Sequence, residues 1–173
     1  ATLLARQPHG PYYLLGYSLG GTLAQGIAAR LRARGETVAF LGLLDTWPPE
    51  TQNWREKEAN GLNPDVLAEI ERERAAFVAA QQGNASEALF TAIEGNYADA
   101  VRLLTTAHSV PFDGHATLFV ADKTVPEGVS PEQSWSPWIE SLAIYRQPCA
   151  HVDIISPSAF ETIGPIISEL INK

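Results

Sequence analysis

The sequence is poor in the features that mark several classes of protein. Its 173 residues carry 12 Lys and Arg against 20 Asp and Glu, a net charge of -8, and the basic residues form no run. Nucleic-acid backbones are bound through clustered positive charge, so nucleic acid is a poor partner. No apolar stretch approaches the roughly 20 residues that cross a bilayer, and the first residues lack the apolar core of a signal peptide. We expect a cytoplasmic protein with no membrane partner.

Sulfur-containing residues are almost absent. The one cysteine, Cys149, cannot form an internal disulfide, which fits a reducing compartment. Cys149 and the four histidines show no metal-ligand spacing, so we expect no metal site. The chain has no methionine and begins with Ala1, so we expect that a segment upstream of it is missing.

The first third of the chain carries a strand, helix, strand pattern. Residues 12–15 form a short apolar run typical of a buried parallel strand, and residues 38–44 form another. Between them, residues 19–34 have apolar side chains at four-residue spacing, as in a helix. The residues that carry this spacing are Leu23, Ile27 and Leu31. This order predicts a right-handed crossover between parallel strands, and therefore the α/β class.

The rest of the chain contains a long helical stretch and then mixed elements. Between about residues 50 and 110 the pattern is helical, with no strand pattern. A lid over a pocket and an extra packing layer are equally good interpretations of such an insertion. Apolar patterns typical of β-strands return at 116–120 and at 144–145, and the pattern of residues 158–171 predicts a C-terminal helix. A short helix is predicted to start near residue 130 and to include Trp135, Trp138 and Leu142.

A nucleophile motif lies between the first strand and the first helix. Gly16, Tyr17, Ser18, Leu19 and Gly20 fit G-x-S-x-G in the strand-to-helix context that the motif requires. Ser18 is predicted to be a nucleophile on a tight turn, with Gly16 and Gly20 leaving room for neighbouring elements. The helix directs its N–H groups and positive dipole end at the place where an oxyanion would form, and the Leu19 N–H is one predicted donor.

A serine hydroxyl needs a general base, and the position of His151 suits that role. His9 precedes the nucleophile strand, and His108 ends the helical stretch. His115 comes at the start of a predicted strand, whereas a site in a parallel sheet forms at the carboxyl ends of the strands. His151 follows the last strand and precedes the closing helix, as the chain order Ser, acid, His requires. We therefore predict His151 as the base that takes the Ser18 proton.

Two aspartates compete for the acid position. Asp45 follows the apolar strand 38–44, and Asp122 follows the apolar strand 116–120. Both are predicted at the carboxyl ends of strands, where a site in a parallel sheet forms. The residues alone leave this choice open.

Four segments together resemble type I thioesterase domains that terminate nonribosomal peptide synthetases. They are GPYYLLGYSLGG at 10–21, GLLDTWPP at 42–49, EGNYADAV at 94–101 and AHVDIISP at 150–157. The resemblance implies the α/β-hydrolase fold and places the acid on Asp45, with Asp122 as runner-up. It also implies that residues 1–173 are the C-terminal part of one domain, with a helical lid insertion at about 50–110.

The resemblance implies an activity and a partner. In the family, the serine takes an acyl chain from the phosphopantetheine of an adjacent peptidyl carrier domain, and no cofactor is bound in the domain itself. The match is strongest to siderophore synthetases. In these enzymes three dihydroxybenzoyl-serine units are joined head to tail and released as a trilactone. Two alternatives stay open: a hydrolytic editing thioesterase or esterase, and an inactive module that docks a carrier domain.

The resemblance also implies an incomplete sheet. The family has several strands before the nucleophile strand, and this chain has room for none. The loop that supplies a second oxyanion N–H would be missing, which costs about 10² to 10³ in rate, and an apolar sheet edge would be exposed. We therefore expect the chain by itself to be weakly active or inactive and to self-associate through that edge.

Overall fold

The structure is a computed structural model that describes residues 3–51, 103, 106–125 and 127–172. The chain divides into two compact units, one formed by Ala1–Thr51 with Ser109–Lys173 and the other by Gln52–His108. The helices predicted between 50 and 110 lie almost wholly outside the described residues. Whether that segment is a lid or a packing layer therefore stays a prediction.

The first unit is built on a four-stranded parallel sheet. Its strands are β1 (Tyr12–Tyr17), β2 (Val38–Leu44), β3 (Phe112–Ala121) and β4 (Ile139–Gln147). They lie in the order β1-β2-β3-β4, and each neighbouring pair is parallel. The predicted α/β class is confirmed, and the carboxyl ends of all four strands meet at one edge of the sheet.

Four α-helices and three short turns of 3₁₀ helix complete the described structure of this unit. The helices are α1 (Leu3–Arg6), α2 (Leu19–Arg32), α3 (Pro131–Trp135) and α4 (Pro157–Ile171). The 3₁₀ turns are Pro49–Thr51, Asp122–Thr124 and His151–Asp153. Helices α3 and α4 start in the same way, with a serine hydroxyl accepting a backbone N–H and a proline in the first turn, as N-capping favours.

The central strands of the sheet are covered on both faces. Successive side chains of a strand point to opposite faces, and β3 divides its apolar residues accordingly. Leu118 and Val120 pack in a cluster with the small residues of α2, whereas Phe119 and Ala121 pack with Ile163 of α4. Strand β3 is therefore buried on both sides, which explains its continuous apolar sequence.

The prediction of a helix that includes Trp138 and Leu142 is wrong. Helix α3 ends at Trp135, and β4 begins at Ile139. The Phe112 N–H donates to the Trp138 carbonyl at 2.8 Å, and Leu142 pairs with Ala116 of β3. Hydrogen bonding to a strand distant in sequence thus decides the conformation of this segment, and a local pattern does not contain that information.

Helix α2 has the predicted position, but two of the three residues that carry its apolar spacing are not buried. Leu23 and Ile27 are exposed, whereas Ala24, Ala28 and Leu31 are buried. The alanines allow the helix backbone to lie close to the sheet. The apolar spacing of Leu23 and Ile27 therefore marks a second apolar side of the helix, which has solvent around it in the described structure.

The turn from β1 to α2 depends on two glycines. A Cβ on Gly16 would lie 2.5 Å from the Gly21 nitrogen, and a Cβ on Gly21 would lie 2.7 Å from the Cβ of Thr46. Among the described residues, no atom lies within 4 Å of the corresponding position on Gly20. Within this part of the chain the expectation that Gly20 leaves room for a neighbour is wrong, since Gly21 is the glycine that allows α2 to approach the turn after β2.

Alanine substitutions at these adjacent glycines should have opposite effects on stability. Gly21→Ala should lower the free energy of unfolding by about 1–3 kcal/mol, because its methyl group overlaps the buried Thr46. Gly20→Ala should raise it by about 0.5–1 kcal/mol, since alanine is favoured in an open helical position. Urea unfolding followed by tryptophan fluorescence measures both, and equal effects would contradict the packing described here.

Candidate active site

Ser18 occupies a strained backbone position between β1 and α2. Its φ is 51° and its ψ is -121°, a region that residues other than glycine rarely adopt. The Ser18 N–H donates to the Leu44 carbonyl at 3.0 Å, and the Ser18 carbonyl accepts from Gly21 N–H at 3.0 Å. Hydrogen bonds on both sides hold the conformation. Leu19 is the first residue of α2, so its N–H lies at the positive end of the helix dipole.

Asp45 lies directly after β2 and is almost completely buried. Its residue is 4% exposed, and its φ of 40° is also positive. Its N–H donates to the Phe119 carbonyl at 2.7 Å, and its Oδ1 accepts from the Ala121 N–H at 2.9 Å. Both groups tie Asp45 to β3, which leaves Oδ2 directed elsewhere.

His151 supplies the partner of that second oxygen. It begins the 3₁₀ turn after β4, and its Nδ1 lies 2.7 Å from Asp45 Oδ2. An ionised carboxylate only accepts hydrogen bonds, so the Nδ1 atom carries a proton. In the neutral ring the lone pair is then on Nε2, the atom that a general base uses. Burial of Asp45 strengthens this pairing, because a buried carboxylate requires a hydrogen-bond donor.

Asp122, the other acid candidate, has a different partner. It lies in the 3₁₀ turn after β3 and is exposed. Its Oδ1 accepts from Arg146 Nη1 at 2.8 Å, and Arg146 also contacts Glu132 at 3.6 Å. The structure therefore places Asp45 against His151. It places Asp122 in an exposed ion-pair network.

The remaining histidines have other surroundings. His9 Nδ1 lies 3.2 Å from Glu36 Oε1, and His115 Nδ1 lies 3.0 Å from Ser141 Oγ. His9, His108 and His115 are all exposed. The Gly10 N–H and then His9 lower the pKa of the Glu36 carboxyl, which marks a surface interaction at the amino end of β1.

Thr46 is a buried residue that sequence reasoning missed. Its Oγ1 lies 3.2 Å from the Leu44 carbonyl oxygen and 3.3 Å from that of Ser18. Its own carbonyl accepts from Trp135 Nε1 at 3.0 Å. Thr46 thus connects the Ser18 turn to the Asp45 turn. Its position directly after Asp45 gave no signal of this, because the contacts are with residues far away in sequence.

The four tryptophans of the chain have different surroundings. Trp135 is fully buried in the core, Trp47 is buried, and Trp138 packs at the edge of the same cluster. Trp54 lies outside the described residues. Trp135 is therefore a core residue whose indole N–H fixes Thr46.

Cys149 lies near this site but is poorly suited to act as a nucleophile. Burial, followed by the charges of Asp153 and Asp45, raises the pKa of its thiol. A thiol reacts through its thiolate, so Cys149 stays protonated and weakly reactive at neutral pH.

Two kinds of feature are absent from the described residues. They contain no group of three or more His, Cys, Asp or Glu residues that could hold a metal ion. None of their helices has the length and apolar character needed to span a membrane.

Comparison with known proteins gives a consistent result at the sequence level. Residues 1–170 match the model of the thioesterase domain family. The chain is 81% identical over 173 residues to enterobactin synthase component F of Escherichia coli O157:H7, covering the whole chain and 13% of that protein. It is 43% identical to vanchrobactin synthetase VabF of Vibrio anguillarum, over 96% of the chain and 6% of that protein. The chain thus spans a small part of the length of these relatives.

Solved structures agree on the fold. The thioesterase domain SrfTE, described for the cyclisation of surfactin, aligns with a TM-score of 0.71 at 20% identity, over 99% of this chain and 71% of that one. The four-domain nonribosomal peptide synthetase AB3403 aligns with a TM-score of 0.70 at 21% identity, over 97% of this chain and 15% of that one. These similarities establish the α/β-hydrolase fold. On the family match over nearly its whole length, this chain belongs to the thioesterase domain family.

Proposed function

We propose that this chain is the terminal thioesterase of a nonribosomal peptide synthetase, with Ser18 as nucleophile, His151 as general base and Asp45 as the acid that orients it. The observation that carries the assignment is the 2.7 Å contact between His151 Nδ1 and the buried Asp45 Oδ2, at the same sheet edge as the strained Ser18 turn. The high identity to enterobactin synthase component F supports the same role.

The proposed reaction has two steps. First, His151 takes the Ser18 hydroxyl proton while Oγ attacks the thioester carbonyl of an acyl chain on phosphopantetheine, and the thiol leaves with that proton. The Leu19 N–H stabilises the oxyanion. Second, His151 activates a hydroxyl of the substrate, which attacks the Ser18 ester and frees the serine. With dihydroxybenzoyl-serine as the acyl unit, the second and third units are each joined through a serine hydroxyl with loss of a phosphopantetheine thiol. The last hydroxyl then attacks the Ser18 ester, and the enterobactin-type trilactone leaves while Ser18 regains its proton.

The proposed partner is a peptidyl carrier domain upstream in the same synthetase. Its phosphopantetheine delivers the acyl group, so the thioesterase domain needs no cofactor of its own. The relatives are much longer than this chain, which fits a domain that works beside others. The cytoplasmic location stays a prediction.

Acylation of Ser18 is the direct test of this function. This chain is inserted in frame into the Escherichia coli relative in place of the matching 173 residues, and the resulting protein is the parent. A dihydroxybenzoyl-serine thioester is then added to the parent and to its Ser18→Ala variant. We expect an acyl adduct on the parent alone by mass spectrometry, followed by cyclic trimer. Linear free acids as sole product would overturn cyclisation and favour a hydrolytic enzyme. An unacylated parent would overturn the thioesterase assignment.

The choice of acid can be tested with two aspartate variants in the same protein. Asp45→Asn should lower the rate of product release by about 10⁴. The Ala121 N–H keeps the amide oxygen as its acceptor, so the amide NH₂ group faces Nδ1 and the ring is held in the wrong tautomer. Asp122→Asn removes an exposed ion pair and should change the rate less than about twofold. If Asp122→Asn had the larger effect, the assignment of Asp45 would be wrong.

We also propose that the 173-residue chain made by itself self-associates through β1. Among the described strands, β1 pairs with β2 alone. Tyr13 and Leu15 of β1 are exposed, as are Leu23 and Ile27 of α2. An unpaired edge strand beside exposed apolar side chains favours pairing with another chain.

A lysine on this edge should reduce the association. Leu15→Lys should shift the chain toward the monomer in light scattering coupled to size exclusion, since a charged edge disfavours strand pairing. Ile155→Lys is a matched control, because Ile155 is 49% exposed against 46% for Leu15 and lies elsewhere. A monomeric parent, or equal effects of the two lysines, would refute the role of β1.

A further inference from the structure

Tyr17, the residue immediately before Ser18, contacts His151 in two ways. Its hydroxyl donates to the His151 carbonyl at 3.2 Å. Its ring stacks on the imidazole, with the ring centroids 4.8 Å apart and the planes inclined by 27°. The two residues are 134 positions apart in the chain, so the contact joins the end of β1 to the turn after β4.

We propose that Tyr17 is a positioning residue for the general base and that its ring face stabilises the charged form of His151 during the reaction. The inference rests on the proposed function, in which His151 accepts the Ser18 proton. It assigns a task to the variable position of the G-x-S-x-G motif, which the motif itself leaves undefined.

The contacts of Tyr17 complement the one made by Asp45. Asp45 Oδ2 contacts His151 at a single atom, Nδ1, and a hydrogen bond to one atom does not by itself fix the plane of the ring. Stacking against the ring face restricts that rotation. The hydroxyl contact holds the backbone of the His151–Asp153 turn.

Tyr17 is itself held in place. It is half-buried and packs against the cluster that contains Leu44 and Phe119. Its backbone belongs to β1 and pairs with Leu44 of β2. A phenol ring fixed in this way defines the plane in which the imidazole lies.

The stacking also has an electrostatic consequence. The face of an aromatic ring is negative and attracts cations. His151 is neutral before it takes the Ser18 proton and positive afterwards, so the attraction grows as the transition state is approached. Interactions that strengthen in the transition state accelerate the reaction.

Several titratable groups lie around His151. Asp45 approaches from the turn after β2, and the Tyr17 phenol approaches from β1. Cys149 and Asp153 belong to its own loop. Asp45, Cys149 and Asp153 stay the same in a series of phenylalanine rings at position 17 that differ only in electron density. Comparison within that series, with Tyr17→Phe as its reference, therefore isolates the contribution of the ring face.

The test measures the labelling of Ser18 by a fluorophosphonate in the chain placed within the Escherichia coli relative. The Ser18 Oγ forms a bond to phosphorus, fluoride leaves, and the serine proton passes to His151. We expect Tyr17→Phe to label within about threefold of the parent, because it keeps the stacked ring. Tyr17→Leu should label about three- to thirtyfold more slowly, the range that a lost cation–π contact corresponds to.

Fluorinated phenylalanines at position 17 provide the sharper series. They keep the size of the ring while withdrawing electron density from its face, so labelling should slow progressively with each added fluorine. The midpoint of the pH profile should move to lower pH by about half to one unit, because the imidazolium loses stabilisation. If the ring only fills space, the labelling rate and the midpoint of the pH profile should stay the same along the series.

Tyr145→Leu is the matched structural control. Tyr145 stacks on Phe119, with centroids 5.4 Å apart, and packs against the same cluster as Tyr17. It should lower the unfolding midpoint without the pH shift. If the parent is labelled but the labelling rate does not change along the fluorine series, the role of Tyr17 is overturned and the proposed function stands. A parent that labels no faster than Ser18→Ala would overturn the proposed function and this inference with it.

Discussion

The Asp45 carboxylate is the group on which the rest of the site depends. A charge that is 4% exposed is stable only when each oxygen has a donor. The Ala121 N–H of β3 satisfies one oxygen, and His151 satisfies the other. The first of these bonds exists because β2 and β3 are in register, with Leu44 opposite Phe119. Sheet register therefore determines where the imidazole can be held.

Backbone strain is concentrated at the ends of two neighbouring strands. Ser18 and Asp45 both have positive φ, and each such position costs of order 1–3 kcal/mol. Leu44 lies between them in space, since its carbonyl accepts the Ser18 N–H. Thr46 then reaches the carbonyls of both Leu44 and Ser18. The two strained turns are thus connected by hydrogen bonds.

The parts of the fold that could be predicted are those whose pattern is local. Strands β1 and β2 and helix α2 follow from contiguous runs, and the position of Ser18 follows from its motif. The acid could not be chosen from the residues, because Asp45 and Asp122 both follow apolar strands. Arg146 distinguishes them in the structure. Its backbone in β4 lies opposite Val120 of β3, and its side chain binds Asp122. That neighbour becomes visible only when the register is known.

The same limit explains why Tyr17 and Thr46 were missed as parts of the site. Both sit next to predicted site residues, but their contacts with His151 and Ser18 cross 134 and 28 positions of the chain. Periodicity describes which face of an element is buried and does not describe which distant side chain lies on it. Stacking partners of a catalytic ring therefore require the tertiary structure.

In the proposed reaction, the rate of release and the choice of product depend on different groups. Cyclisation and hydrolysis of an ester on Ser18 would use the same proposed base, acid and Leu19 donor, so these groups would accelerate both reactions alike. The ratio of lactone to free acid depends instead on which hydroxyl, that of the substrate or that of water, is held close to the ester. Residues that act through His151, Tyr17 among them, would alter turnover and leave this ratio unchanged. Specificity in this domain must consequently come from the residues that position the acyl chain.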